Sequence, residues 1–564
     1  MDTRTELLPR QIADAHLTEY TGLDPVSGVF LGIEGSEVAL PDFSPAWQDS
    51  LARLARTTLT RLEAAERRPG AADAAERRCG ALLRERLHAE LALHEASEHL
   101  RAVSNMDTPA HNAREMFTLV PTDTEDDWAA VRRLLGDVPA ALSGYRESLT
   151  LGLEQGLPGG PHATAALVGQ LGEWLTDGER GWFHGFVSDA PAASASLRSE
   201  LDTAAERATE AVATLRDWLR DTYAPAVADA PDTVGRDRYA HWSRYFNGTD
   251  LDLDEAYAYG WAEYHRLLGE MRTEAARVLP SAATPWEALA HLDAHGTLLD
   301  GPEKARVWLQ DLMDGAIETL HGVHFDLDGP LRHVESRIAP AGSAATPYYT
   351  GPSEDFSRPG RTWLPAEDGA PIPVHTLVST WYHEGVPGHH LQTTQWMLNK
   401  DRLSRYQATL GWVSANCEGW ALYAERLMDE LGFLTDPEHR LGHLDAQMMR
   451  AMRVIVDIGM HLELPIPREA PFRPGERWTP ELASEFMAAH SGRSAGYLRS
   501  ELVRYLSTPG QAIGYKLGER AWLLGRENAR RARPAAFDVK AWHMAALSLG
   551  SLGLDDLVTE LSAL

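Results

Sequence analysis

Apolar side chains recur three and four positions apart along most of this chain, the spacing that lays them on one face of a helix. Between residues 45 and 105, Trp47, Leu51, Leu54 and Leu62 follow that spacing, with Thr58 filling the turn between them. Pro69-Gly70 interrupts the run, so the pattern predicts two long helices, antiparallel to one another. The pattern repeats from Asp126 to Leu153 and stops at Gly156-Leu157-Pro158-Gly159-Gly160-Pro161, a strong breaker. A further helix is predicted from about Ser196 to Tyr223, with a connection from Ala224 through Pro231. Asp252, three residues before Glu255, resembles a capping box for a helix carrying Tyr257, Trp261 and Tyr264. Helices near 285–295 and 302–321 follow.

The period then changes from helical to two. Val334-Glu335-Ser336-Arg337-Ile338 alternates as a strand, Pro347-Tyr348-Tyr349-Thr350-Gly351-Pro352 reads as an edge segment, and Gly360-Arg361-Thr362-Trp363-Leu364 as another short strand. A small sheet over about 332–366 is expected. Helical spacing resumes at Pro373, which suits a first turn, with Val374, Leu377, Val378 and Trp381 forming an apolar stripe. Met448, Met449, Met452 and Val456 predict a buried helix from which Arg450, Arg453, Asp457 and His461 project. Pro465, Pro467, Pro471 and Pro474 make 464–479 a loop. The chain reads as mainly α, in two parts: 1–240, where no chemistry is evident, and 241–564, where it concentrates.

Composition narrows the function. A chain of 564 residues with 44% apolar and 24% charged side chains is long enough for a large core and ordinary in make-up. A net charge of −29 argues against nucleic acid and anionic membrane as partners, which both select basic patches. Residues 1–30 hold no continuous apolar core, and no later run approaches the roughly 20 apolar residues of a membrane span. Two cysteines, Cys79 and Cys417, are too few for a disulfide framework and fit a reducing compartment, so a cytoplasmic location is expected.

The candidate chemistry lies in Trp381-Tyr382-His383-Glu384-Gly385-Val386-Pro387-Gly388-His389-His390-Leu391-Gln392. In the H-E-x-x-H zinc motif, two His four residues apart share a helix face and the Glu activates water. Here Pro387 stands where the second His would be. Pro cannot donate the helical hydrogen bond, so a kink or bulge of about two residues is expected after Val386, with His383 off the buried stripe. That makes His389 the second ligand. His390 is its rival, since seven residues return to the face of His383, but at ~1.5 Å per residue it would lie about 10.5 Å along the axis.

The third ligand is sought on the next helix, where Glu418 lies 29 residues after His389, enough for the first helix to end near Asn399 and a second to return. His, His and Glu with one open position is the usual composition of a hydrolytic zinc site. Glu425, one helical face-repeat further, is placed either behind a ligand or on a solvated surface. Mn or Co could bind the same set.

At these residues the chain resembles the DUF885 family, a bacterial group placed among zinc-peptidase-like proteins of the gluzincin type. The resemblance rests on His383-Glu384, Pro387-Gly388-His389-His390-Leu391-Gln392 and Glu418-Gly419-Trp420-Ala421. It continues through Arg453-Val454-Ile455-Val456-Asp457-Ile458-Gly459-Met460-His461 and Arg504-Tyr505-Leu506-Ser507-Thr508-Pro509-Gly510-Gln511-Ala512-Ile513-Gly514-Tyr515-Lys516-Leu517-Gly518. It implies a large two-lobed helical clamshell, like the oligopeptidase and carboxypeptidase gluzincins, with a small sheet beside the zinc helix.

The resemblance also implies an edge strand that holds an extended substrate by β-augmentation, which would set Tyr348 and Tyr349 along the cleft. Tyr515, in the family's C-terminal block, could stabilise an oxyanion, as could His461. Lys516 or Arg504 could bind a substrate carboxylate. The implied activity is that of a metallopeptidase or amide hydrolase acting on small peptides or peptide-like metabolites. It would use one Zn2+ held by His383, His389 and Glu418, with Glu384 as general base. Two other readings stay open: a pathway metalloenzyme acting on a non-peptide bond, and a non-catalytic peptide-binding protein of the same fold. Oligomeric state is not legible.

Overall fold

The structure, a computed structural model, describes residues 7–564 except 34, 68–72, 177–179, 189, 191–193, 340–345, 354 and 366–370. The fold is mainly α, as the periodicity predicts, with two small sheets among the described residues. It divides into two compact units. One comprises Met1–His241 and Arg499–Pro509, the other Trp242–Leu498 and Gly510–Leu564. The short return of 499–509 to the first unit carries no signal in hydropathy.

In the first unit, the helices Pro45–Glu66 and Ala74–Glu95 pack against each other and against Pro9–Leu23. The predicted Pro69-Gly70 break falls outside the described residues. Helix Glu125–Glu154 starts at Thr124, whose hydroxyl accepts the Asp127 amide at 3.2 Å while Asp127 returns a bond to the Thr124 amide at 2.8 Å. Its Trp128, Val131, Leu135, Leu142 and Leu149 build a core with Leu197, Leu201, Val212 and Leu215 of helix Ala195–Trp218. That helix does not stop at Tyr223 as expected. It passes through a π turn, Leu219–Tyr223, into Ala224–Val227, which carries Pro225. Residues 499–509 belong here because Val503 packs on this core and Asn105 Nδ2 donates to the Ser500 carbonyl at 3.0 Å.

The second unit is built around two buried helix pairs. Leu253–Val278 lies along Pro437–His461, and Ser414–Glu430 along Gly514–Ala532. Asp252 caps the first of these helices by accepting the amides of Asp254 and Glu255, without the reciprocal bond of a full capping box. Strands β1 (Leu298–Asp300), β2 (Val334–Ile338), β3 (Tyr348–Thr350), β4 (Gly360–Leu364) and β5 (Pro371–Pro373) form two sheets. In one, β2 pairs parallel and β3 antiparallel with the central β4; in the other, β1 pairs antiparallel with β5. The first matches the predicted sheet. The β1–β5 pair escaped sequence reading because two of its residues are Pro, a poor strand former. The outer edge of β2 is tied to helix Pro302–Leu320, where Gln310 Nε2 donates to the Val334 carbonyl at 3.1 Å and Gln310 Oε1 accepts the Ser336 amide at 2.7 Å.

The stripe of Val374, Leu377, Val378 and Trp381 is buried as expected. Its start differs: Pro373 ends β5, a 3-10 turn spans Val374–Thr376, and the α-helix runs Val378–Glu384. This helix packs against both Ser414–Glu430 and Pro437–His461. His383, predicted to fall off the buried stripe, is therefore only 3% exposed, enclosed from its polar side as well.

Candidate metal centre

The Pro-Gly segment does more than kink one helix. Val378–Glu384 ends, Gly385 to Gly388 form a separate loop with a cis Val386-Pro387 bond, and a new helix begins at His389 and runs to Leu398. Gly388 is required in this loop, since a Cβ there would lie 1.9 Å from the His383 carbonyl oxygen. Trp420 fastens the loop from the next helix, its Nε1 shared between the carbonyls of Pro387 at 2.9 Å and Gly388 at 3.1 Å. The helix ends at Asn399 as expected, and Glu418 comes back on Ser414–Glu430.

The result is a cluster of three donors. Ligand atoms of His383, His389 and Glu418 all lie within 4.8 Å of one another. His383 Nε2 is 3.2 Å and His389 Nε2 3.6 Å from Glu418 Oε2, and the two imidazoles meet edge to face at 4.8 Å. Two ligands on a tetrahedral zinc with bonds of about 2.0–2.1 Å stand roughly 3.4 Å apart, so these spacings fit such an ion.

His390 is excluded from this cluster. Its Nδ1 shares a hydrogen bond with Tyr349 OH at 2.9 Å, and its Nε2 donates to the Pro330 carbonyl at 3.2 Å. Gly360 of β4 leaves the space for that junction, because a Cβ there would sit 2.4 Å from the ring nitrogen and 2.5 Å from the phenol oxygen. Burial lowers the His390 pKa to about 4, consistent with a neutral structural ring.

Electrostatics favour a cation at the cluster. Burial would lower the His383 pKa, but hydrogen bonds with Glu418 and Glu425 outweigh it and lift it to about 10. Burial opposes ionisation of Glu418, yet contacts with His383 and His389 hold it well below the usual carboxylate range. Glu384 goes the other way: burial raises it, only partly offset by His383 and His389. A carboxyl with a raised pKa beside the cluster is suited to taking and returning a proton.

Behind the donors lies a buried polar network that the sequence reading only touched. Glu425 is fully buried; its Oε1 accepts His383 Nδ1 at 2.8 Å, and its Oε2 accepts the Ser379 hydroxyl. Ser379 Oγ in turn meets His443 Nδ1 at 2.9 Å, and Arg450 Nη2 stands 3.8 Å from Glu425 Oε1. Glu425 thus orients His383 and is not a solvated surface residue. Ser379 was visible in principle, four residues before His383 and so on its face; His443 was not, since only tertiary packing brings it there.

The remaining sequence candidates separate. Tyr515 is beside the cluster, its ring stacked on His383 with centroids 6.4 Å apart and Arg453 Cζ 4.7 Å from its ring centroid. His461 is fully buried two turns beyond Arg453, with Nε2 3.8 Å from Asp457 Oδ1, while Asp457 Oδ2 accepts the Gly510 amide at 2.8 Å. That is the setting of a structural residue. Lys516 corrects the expectation of a substrate-binding cation: it is fully buried and its Nζ donates to Glu519 Oε2 and Gln447 Oε1 at 2.6 Å each and reaches Glu263 Oε2 at 3.3 Å. Arg504 is likewise engaged internally, with Nη2 3.2 Å from Glu501 Oε2, and belongs to the first unit. Tyr348 stacks on Trp363 at 5.9 Å, and Tyr349 is committed to His390, so neither ring is shown facing the donors.

Among the described residues no helix is long and apolar enough to cross a membrane. The fold is shared with two solved proteins. One, a candidate lipoprotein from Colwellia psychrerythraea, superposes with a TM-score of 0.83 at 21% identity, covering 99% of both chains. The other, a candidate lipoprotein of unknown function from Shewanella oneidensis, gives 0.74 at 17% identity over 98% of this chain and 100% of that one. No curated protein matches the chain. The family profile described as a bacterial protein of unknown function, DUF885, matches residues 25–561, and the chain belongs to that family.

Proposed function

We propose that this protein is a divalent-metal-dependent hydrolase, with zinc the best-fitting ion, that cleaves amide bonds in small peptides or peptide-like metabolites. The observation that carries this reading is the convergence of His383, His389 and Glu418 within 4.8 Å, with Glu384 buried beside them. Two neutral imidazoles and one carboxylate are a hydrolytic zinc set rather than a closed structural one. When bound, zinc supplies Lewis acidity, which acidifies water and polarises a carbonyl.

The chain's own residues do the rest. Glu425 holds His383 through Nδ1, leaving Nε2 directed toward Glu418. Glu384 accepts the proton of the attacking water and passes it to the leaving amine, a transfer favoured by its raised pKa. Tyr515, stacked on His383, is placed to donate to the developing oxyanion. β3 (Tyr348–Thr350), the outer strand opposite the Gln310-tied β2, is the edge on which an extended peptide would add.

The proposed location is the cytoplasm, from the cysteine usage; the neighbours' description as candidate lipoproteins favours a membrane-anchored one, and fractionation of cells decides between them. The function is tested by incubating zinc-loaded protein with small peptides, simple amides and esters. Cleavage of peptides or amides is expected, lost by about 10²–10⁴-fold in Glu384→Gln. Equal turnover by Glu384→Gln would overturn the assignment of the base, and turnover of esters alone would overturn the bond.

A further inference from the structure

The sequence placed recognition of a substrate carboxylate on Lys516 or Arg504, and the structure occupies both with internal carboxylates. A different set of donors stands next to the cluster. Gln447, Arg450 and Arg453 are spaced three apart on helix Pro437–His461, so that each neighbours the next along a slanting ridge. Gln447 Nε2 and Arg450 Nε are buried and have no acceptor among the described residues. Gln447 is 3% exposed, and its Oε1 is already taken by Lys516 Nζ at 2.6 Å, which fixes its amide with the NH2 group as the unused end.

Two members of this row, Arg450 and Arg453, touch groups that contact His383, and Gln447 continues it toward Lys516. Arg450 Nη2 approaches Glu425 Oε1, the same oxygen that accepts His383 Nδ1. Arg453 Cζ lies against the ring of Tyr515, which stacks on His383, and Arg453 Nη2 reaches Tyr497 OH at 3.5 Å. Buried donors without acceptors are uncommon because the unmade bond is costly. An arriving group with two acceptor oxygens would satisfy both at once, and the planar guanidinium matches a carboxylate in a two-pronged fork.

The Arg450 charge acts on both Glu384 and Glu425, and a divalent ion at the donors would offset those carboxylates and leave the guanidinium's attraction to an arriving anion.

We propose that Gln447, Arg450 and Arg453 form a carboxylate-binding row beside the donor cluster, so that the substrate is a short peptide or acylated amino acid with a free carboxylate near the scissile bond. This rests on the metallohydrolase reading, and its test keeps the two apart. The zinc-loaded Glu384→Gln protein is titrated calorimetrically with N-acetyl-alanyl-phenylalanine and with its C-terminal amide, and bound zinc is quantified in every sample. The acid is expected to bind at least tenfold more tightly than the amide. Gln447→Met should reduce that preference to less than threefold while zinc content and amide affinity stay unchanged, and Arg450→Met should reduce it likewise in the fraction that retains zinc. Arg450→Lys, which keeps the charge but not the fork, should restore part of it if Arg450→Met folds poorly.

Equal affinity for acid and amide, no binding of either at millimolar concentration, or a preference that survives both substitutions overturns the proposal while zinc is retained. Absence of zinc in the parent protein instead overturns the reading beneath it.

Discussion

His389 and His390 are consecutive, yet their rings serve different structures: His389 Nε2 stands 3.6 Å from Glu418 Oε2, whereas His390 Nδ1 is 2.9 Å from Tyr349 OH. The first faces the other donors and the second pins the helix to the sheet. His390→Ala should therefore keep metal uptake and lose folding stability, by about 2–4 kcal/mol, since it empties a buried ring site and strands Tyr349 OH. Thermal denaturation beside a metal assay separates the two effects. Retained stability with lost metal would reverse the roles assigned to the pair.

Glu425→Gln keeps size and removes charge behind His383. Metal affinity is expected to fall about 10–100-fold, as when an outer carboxylate partner of a ligating His is lost. Competition with a chromophoric chelator measures this, and an unchanged affinity would show that the 2.8 Å contact with His383 Nδ1 does not tune the donor.

Metal uptake should release a proton. The folded His383 pKa, about 10, lies above its unfolded value, so in metal-free protein the shift contributes stability that is full below about pH 6.5 and is lost as pH rises through about 10. A metal must displace that proton, shared with Glu418, so apparent affinity rises with pH across this window. Calorimetry at pH 7.5 in buffers of different ionisation enthalpy should show about one proton released per metal. Zero release would contradict the protonated donor pair.

Gly388→Ala places a Cβ against the His383 carbonyl. The loop must then move, and destabilisation of about 3 kcal/mol or more together with loss of metal is expected. A variant that keeps both would mean the loop has a second arrangement compatible with the donors.

In the first unit, burial pushes the Glu90 carboxyl up to about 7, against the pull of Arg86. A raised acid is a liability when ionised: stability is unaffected below about pH 4.5 and falls as pH climbs through 7. Glu90→Gln should leave the melting temperature unchanged at pH 4 and raise it at pH 8, by an amount worth about 1–2 kcal/mol. Equal effects at both pH values would point to packing instead of charge.

What the sequence disclosed depended on local signals. The helices of Pro45–Glu66, Glu125–Glu154 and Pro437–His461 follow from apolar spacing, and β2, β3 and β4 from a period of two. The three donors were legible because residue type and spacing are local, and Pro387 signalled that the usual H-E-x-x-H spacing had shifted. Its consequence exceeds the expected bulge, since the chain breaks into two helices joined by a loop that Trp420, 33 residues after Pro387, fastens through tertiary contact. Long cations were the least legible. Nothing in Lys516 or Arg504 reveals that Glu519 and Glu501, each three residues away, already hold them, and Arg450 and Gln447 become conspicuous only when their buried donors are seen without acceptors.

The central claim is that His383, His389 and Glu418 hold a divalent metal. The most direct test is elemental quantification of zinc, manganese, cobalt and iron in purified wild-type protein beside His389→Ala and His390→Ala. The account predicts about one zinc per chain in the wild type, retained in His390→Ala and absent from His389→Ala. No bound metal in the wild type after reconstitution with each ion, or equal metal content in all three proteins, would contradict it.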